Sequence, residues 1–272
     1  MKAFLRRHFP LFYAKLVRMM AFIRRLRFNA RDVNYVYGGF PLKVRLADGM
    51  AEAWYNSDWP DLPELALLRQ HRLKPGARVF DLGGHQGVVG MILAKTVGKT
   101  GQVVVVEADQ FCAKLAAQNR DANDFADKQM VVLRAAISDH SGRLDVPEKP
   151  RNQGSVHRYL DWGSQGVRAM TLDDLSLEYG LPDVVFMDVD GFECHALRGG
   201  RKTLAAKPDV FIEVHVGAGL EDEGASREEL LNFFPESEWV LQVGVQDGHA
   251  FVPYEPGLEF LNARFYLVAT AR

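Results

Sequence analysis

Seven apolar runs, at residues 78–82, 102–107, 130–137, 183–190, 209–215, 239–245 and 264–270, predict strands. Between them, apolar residues three or four apart predict helices near 87–97, 111–123, 172–178, 194–205 and 226–233. The runs are almost continuously apolar, as in strands buried on both faces. Strand and helix in alternation predict an α/β fold: a mostly parallel seven-stranded sheet with helices on both faces. No clear crossover helix separates the last two runs. They are therefore expected to form a hairpin that places one strand antiparallel near the C-terminus. Ahead of this body, residues 32–73 predict a lead-in hairpin with turn signals at Gly38-Gly39 and Asp48-Gly49, then a helix at 60–72 carrying Leu65 and Leu68. At the start, Phe12, Leu16, Met19, Ile23 and Leu26 form one helical stripe, with Lys15, Arg18 and Arg25 off it. The expected organisation is a helical arm at 1–31, the lead-in at 32–73 and the main domain at 74–272.

Charge separates arm from body. The overall −2 hides nine Lys or Arg and no acid in residues 1–31, against 24 basic and 35 acidic residues in the rest. An acidic body disfavours nucleic acid as a partner. The basic arm fits three uses: packing on the body, peripheral contact with an anionic membrane surface, or guiding an acidic acceptor. No uncharged stretch is long enough to cross a bilayer. Cys112 and Cys194 form no metal or disulfide framework, which points to a reducing, cytoplasmic setting. Cys194-His195 are neighbours in sequence, but neighbours on a helix point in different directions, so this is poor evidence for a nucleophile pair.

The chemistry gathers at strand ends, where open parallel sheets bind ligands. The first strand ends in Asp81, followed by Gly83, Gly84, His85 and Gly87; the second ends in Glu107, 20 residues after Gly87. An acid there commonly accepts hydrogen bonds from ribose hydroxyls. Gly-Gly-His-Gln-Gly is not the GxGxxG of dinucleotide sites. Asp81 would repel a pyrophosphate by roughly 1 kcal/mol or more per close pair, whereas S-adenosylmethionine (SAM) carries a cationic sulfonium and amine. Ala135, Ala136 and Ile137 after the third strand suit an adenine slot, with Ser138 and Asp139 able to meet a base edge. The fourth strand presents Asp188 and Asp190, and the fifth Glu213 and His215, each pair on one face if the strand runs that far. Glu193 opens the next helix, where a carboxylate complements the dipole.

The stretches "VFDLGGHQGVVG", "VVVVEAD", "AAISDHSGRL", "MTLDDL", "VVFMDVDGFECHALRGG" and "VFIEVH" occur in this order. The set resembles the FkbM family of SAM-dependent methyltransferases over residues 74–215. The resemblance implies a Rossmann-like class I methyltransferase fold, SAM as donor and a hydroxyl acceptor on a saccharide or secondary metabolite. It implies that Asp81, Gly83 and Gly87 line the methionine end of SAM, with Gly84, His85 and Ala108 also among the cofactor-binding residues. Glu107 would hold the ribose, Ala136, Ile137 and Ser138 would flank adenine, and Asp188 would lie near the methyl group. Two departures stand out: Gly84-His85 where the family often has Ala-Asn, and Asp190 where it often has Glu.

An alcohol is a poor nucleophile until it loses its proton, so a general base is expected. His215 is the expected base, oriented by Asp188 or Glu213. A rival arrangement has Asp188, Asp190, Glu213 and His215 hold a divalent cation, although the histidine weakens the magnesium case. Two other classes remain as alternatives: a SAM-binding partner module without catalysis, and an NAD-dependent oxidoreductase. Asn152, Ser155, His157, Tyr159 and Trp162, in the long irregular segment, are candidates to contact the acceptor. The acceptor's identity, the atom methylated and the oligomeric state are not written in the sequence.

Overall fold

The computed structural model describes residues 19–20, 23, 26–144, 166–245 and 250–272. Strands β1 (Arg31–Tyr37) and β2 (Phe40–Leu46) pair antiparallel across Gly38-Gly39, as expected. Asp48 makes no second hairpin turn. Its Oδ1 accepts from the Ala51 N–H at 2.8 Å and caps helix α1 (Gly49–Tyr55), because an aspartate before a glycine serves an N-cap as well as a turn. Helix α2 (Pro63–Gln70) starts with its proline in the first turn and buries Leu65 and Leu68.

The main domain runs β3 (Arg78–Leu82), α3 (Val88–Val97), β4 (Gln102–Glu107), α4 (Gln110–Ala122) and β5 (Met130–Arg134). Three short strands follow, β6 (Ala136–Ile137), β7 (Gly142–Leu144) and β8 (Val167–Met170). Then come α5 (Leu172–Tyr179), β9 (Val184–Met187), α6 (Glu193–Arg198), α7 (Arg201–Ala205) and β10 (Asp209–Val214). The chain closes with α8 (Arg227–Asn232), β11 (Trp239–Gly244), β12 (Val252–Pro253) and β13 (Phe265–Ala271).

The large sheet has the order β12-β11-β13-β10-β9-β3-β4-β5. Its central strands β5, β4, β3, β9 and β10 are parallel, and β13 inserts antiparallel between β10 and β11. The antiparallel C-terminal strand is therefore where the sequence pattern put it. The sheet has eight strands rather than seven, because the two-residue edge strand β12 joins β11. The third expected strand stops at Arg134. Ala136 and Ile137 leave it to pair with β8 in a separate three-stranded sheet, β6-β8-β7. The helix expected at 194–205 is two helices, broken at Gly199-Gly200, where two residues of high backbone freedom disfavour helix.

Side chains alternate across β3. Phe80 and Leu82 join the core on the face covered by residues of α5, α6 and α8. Val79 joins the opposite core with Val103, Val105 and Ile92, which Tyr37, Leu42, Val44 and Leu46 of the lead-in hairpin also enter. The hairpin thus packs on the α3 side of the sheet and brings α1 to the carboxyl ends of the strands. In the arm, the described Met19, Ile23 and Leu26 are helical and exposed; Phe12 and Leu16 lie outside the described residues. Among the described residues, no helix is long and apolar enough to cross a membrane.

Candidate active site

A cleft, open at its mouth, lies beyond the carboxyl ends of the parallel strands. It is lined from the β4 and β5 side by Glu107, Ala108, Ala135, Ala136 and Ile137. From the β9 and β10 side come Asp188, Asp190 and His215. Strand β3 lies between these groups and contributes Gly83 and His85. This is the switch point at which the sheet reverses its winding direction.

Gly83 has a φ of +85°, and a Cβ there would overlap the carbonyl oxygen of Asp188. The ends of β3 and β9 approach this closely because position 83 carries no side chain. Glu107 Oε2 accepts from His85 N–H at 2.8 Å, and Oε1 accepts from Asp109 N–H at 2.6 Å. Burial pushes its carboxyl up to about 8, opposed by these two backbone donors. Each oxygen keeps a further lone pair, so Glu107 can still accept from a diol.

Asp81 does not face the cleft. The pleat of β3 puts it with Val79 on the α3 side, where Oδ2 lies beneath Gly84 and Gly90, about 3 Å from where a Cβ on either would stand. That oxygen is buried without a hydrogen-bond partner, and burial raises the carboxyl to about 7. Gly84 and Gly87 shape the turn without lining the cleft, and Ser138 is buried behind it, its N–H donating to Met170 O at 2.9 Å. Asn152, Ser155, His157, Tyr159 and Trp162 lie outside the described residues.

The sequence reading missed one whole wall. Asp48, Met50 and Trp54 of the lead-in border the cleft, Trp54 with 45 % of its surface exposed. The Tyr55 hydroxyl is 2.7 Å from His85 Nδ1, and the Trp54 ring lies 5.2 Å from the imidazole, centroid to centroid. His85 therefore joins the glycine turn to α1. The only sequence signal for this wall was an aromatic pair after a cap residue.

At the other end the charges converge. His215 is 1 % exposed, and its Nδ1 is 2.6 Å from Glu193 Oε1. Its Nε2 faces Asp190 Oδ1 at 3.3 Å, Asp188 Oδ1 at 3.7 Å and Glu213 Oε1 at 3.8 Å. Arg264, just before β13, pairs with Glu213 and also lines the cleft. β9 ends at Met187, so Asp188 and Asp190 sit on the following loop, Asp190 with a φ of +49°. The pairs expected on strand faces are brought together by a loop instead. Burial works against a charge on His215, but hydrogen bonds to Asp190 and Glu193 and the nearby carboxylates overcome it, raising its pKa to about 11. Asp188 is pushed well above the carboxylate range by desolvation and then by the Glu213 and Asp190 charges.

The ligand atoms of Asp188, Glu213 and His215 lie within 4.8 Å of one another, close enough for one divalent cation. Among the described residues Arg264 pairs with Glu213, and His215 lies between Glu193 and Asp190, so these side chains pair with one another as an ion-pair network. Cys194 is buried, its thiol raised to about 12 by burial, and His195 pairs with Asp139 at 2.9 Å; the two make no nucleophile pair.

The residues present fit SAM: the cleft has an apolar slot at Ala135–Ile137, the Glu107 carboxyl beside it and the Asp188 and Asp190 carboxyls across from it. Calorimetry should show SAM binding to the wild type and its loss below detection in Glu107→Ala. Unchanged binding in that variant would remove Glu107 from the cofactor site.

Two family models match the chain. The model of the methyltransferase FkbM domain matches residues 81–238. A second model, protein-L-isoaspartate(D-aspartate) O-methyltransferase, matches residues 7–145 and stops before Asp188, Asp190, Glu213 and His215. Hexuronic acid methyltransferase AglP of Haloferax volcanii is 25 % identical over 163 residues, 53 % of this chain and 68 % of that protein. The 2-O-methyltransferase NoeI of Sinorhizobium fredii is 26 % identical over 160 residues, 52 % of this chain and 64 % of that protein. A crystal structure of an FkbM methyltransferase from Methylobacillus flagellatus overlaps with a TM-score of 0.48 at 14 % identity, covering 71 % of this chain and 43 % of that one.

Proposed function

The chain belongs to the FkbM methyltransferase family of SAM-dependent enzymes, and on that premise we propose that it methylates a hydroxyl group of a saccharide. The similarity to AglP, a hexuronic acid methyltransferase, supports a sugar as the acceptor class, and that to NoeI, a 2-O-methyltransferase, supports transfer to oxygen. The observation that carries the choice of a hydroxyl is the carboxylate cluster on the β9 and β10 side of the cleft, with Asp188 exposed into it. Four acidic side chains gather there, those of Asp188, Asp190, Glu193 and Glu213, around His215 and Arg264. A carboxylate there can take the proton that a neutral hydroxyl must give up.

SAM supplies a methyl group made electrophilic by its sulfonium. Glu107, Ala108, Ala136 and Ile137 would hold the adenosine, with Gly83 and His85 beside the methionine part. Asp188 is the proton acceptor in this reading. Its side chain is 45 % exposed, and its raised pKa brings a carboxylate nearer the working pH of a general base. In this reading His215, its pKa raised to about 11, keeps its proton instead of acting as the base expected from sequence, and it positions Asp190 through Nε2–H at 3.3 Å with Asp188 as a further ion-pair partner. Alignment of acceptor and methyl group supplies much of the remaining acceleration.

The test is transfer from methyl-labelled SAM to neutral sugars, hexuronic acids and an isoaspartyl peptide, followed by mild alkali. A hydroxyl acceptor gives a methyl ether that keeps its label in alkali. A carboxyl acceptor gives a methyl ester that releases labelled methanol. Label lost to alkali, or found only on the isoaspartyl peptide, would overturn the proposal.

A further inference from the structure

We propose that Glu193 is a positioning residue that locks His215 in one orientation and ties it to the loop bearing Asp188 and Asp190. This rests on the reading of that cluster as the acid–base end of the site. Glu193 opens α6 and is wholly buried. One of its oxygens, Oε1, stands 2.6 Å from His215 Nδ1 and accepts from Gly191 N–H at 3.0 Å. A single atom therefore joins three pieces of chain: the loop after β9, the start of α6 and the end of β10.

That loop has little room to move. A Cβ at Gly191 would lie 2.6 Å from the Gly219 carbonyl carbon, so the loops after β9 and β10 touch backbone to backbone. With Nδ1 held by Glu193, the ring can present only Nε2 to the cleft. The charged groups facing the imidazole are Asp188 and Asp190 from the loop after β9, Glu193 from α6 and Glu213 from β10, with Arg264 behind Glu213. Of these, Glu193 is the buried one that sits on the far ring nitrogen. Its other oxygen, Oε2, is buried with no hydrogen-bond partner, so His215 is its principal counter-charge. Raising the His215 pKa is a second consequence of the same contact. The dipole role that a glutamate at a helix start suggests is minor beside this, since α6 spans only Glu193–Arg198.

The experiment uses Glu193→Gln in the full chain. Glutamine keeps the size and an oxygen for Gly191 N–H, but it is neutral. SAM affinity by calorimetry is expected to stay unchanged. Turnover should fall about 10–100-fold, a share of what a full general base contributes. In nitrogen-15 NMR the wild-type His215 signal, assigned by its loss in His215→Asn, should remain that of an imidazolium from pH 6 to 9. In Glu193→Gln it should titrate within that range, and a matching alkaline limb should enter the pH–rate profile. A wild-type His215 whose Nδ1 shows no hydrogen bond in that spectrum overturns the proposal without any Glu193 variant. So does a Glu193→Gln enzyme with wild-type turnover and an unshifted His215 signal. These NMR and binding readouts need no acceptor, so they fail or succeed separately from the sugar assignment.

Discussion

Asp188→Asn is expected to lower kcat by about 10²–10⁴-fold, the usual contribution of a general base, with SAM binding retained. Asparagine matches the shape of aspartate and keeps a hydrogen-bond acceptor, but it takes no proton at working pH. The lost interaction is one made as the acceptor proton leaves, so kcat and kcat/KM should fall together while KM moves little. The pH profile supplies the second reading. Desolvation and the charges of Glu213 and Asp190 hold the Asp188 carboxyl well above its ordinary value. The acid limb of the wild-type profile should therefore lie above the normal carboxylate range, because activity needs the ionised form and appears only as pH rises through that raised pKa. In Asp188→Asn that limb should vanish from the residual activity. If the variant turns over like the wild type, the base is another group, and His215 becomes the first to test.

Much of this site was legible because buried parallel strands are written as apolar runs, and the residues just past each run are the ligand-facing ones. Glu107, Asp188 and His215 were found that way. What was not legible depends on direction and distance. Asp81 lies near the end of the run that Gly83 follows, and the pleat turns it under α3; only the alternation of Val79 and Asp81 against Phe80 and Leu82 carried that information. The wall formed by Asp48, Met50 and Trp54 comes from a lead-in more than 25 residues before the cleft's first glycine. Its place follows from packing of the β1–β2 hairpin on α3, which no local pattern states. Glu193 is the sharpest case. At a helix start an acid has an adequate local explanation, and its contact with His215, 22 residues on, overrides that explanation. The edge strand β12 escaped notice because its two residues are exposed and carry no periodicity.

Gly83→Ala should be the most damaging single methyl in the site. Two costs meet at this position. Its φ of +85° lies in the region that residues with a Cβ adopt at a cost of about 1–3 kcal/mol. The added Cβ also meets the Asp188 carbonyl oxygen, a backbone atom that cannot rotate away. Forcing it aside adds an overpacking cost of about 1–3 kcal/mol. The sum, about 2–6 kcal/mol, should appear as a lower urea midpoint with an unchanged slope. Gly39→Ala separates the two terms: its φ is +87°, yet no atom lies within 4 Å of the added Cβ. That variant should show the conformational cost alone and keep SAM binding. In Gly83→Ala the relief has to come from moving β3 and β9 apart, and the loop after β9 carries Asp188 and Asp190. SAM affinity and turnover should therefore fall with stability, beyond what the loss of folded protein explains. Equal destabilisation in the two variants, with SAM affinity intact in both, would mean that the β3–β9 approach is not what shapes the cleft.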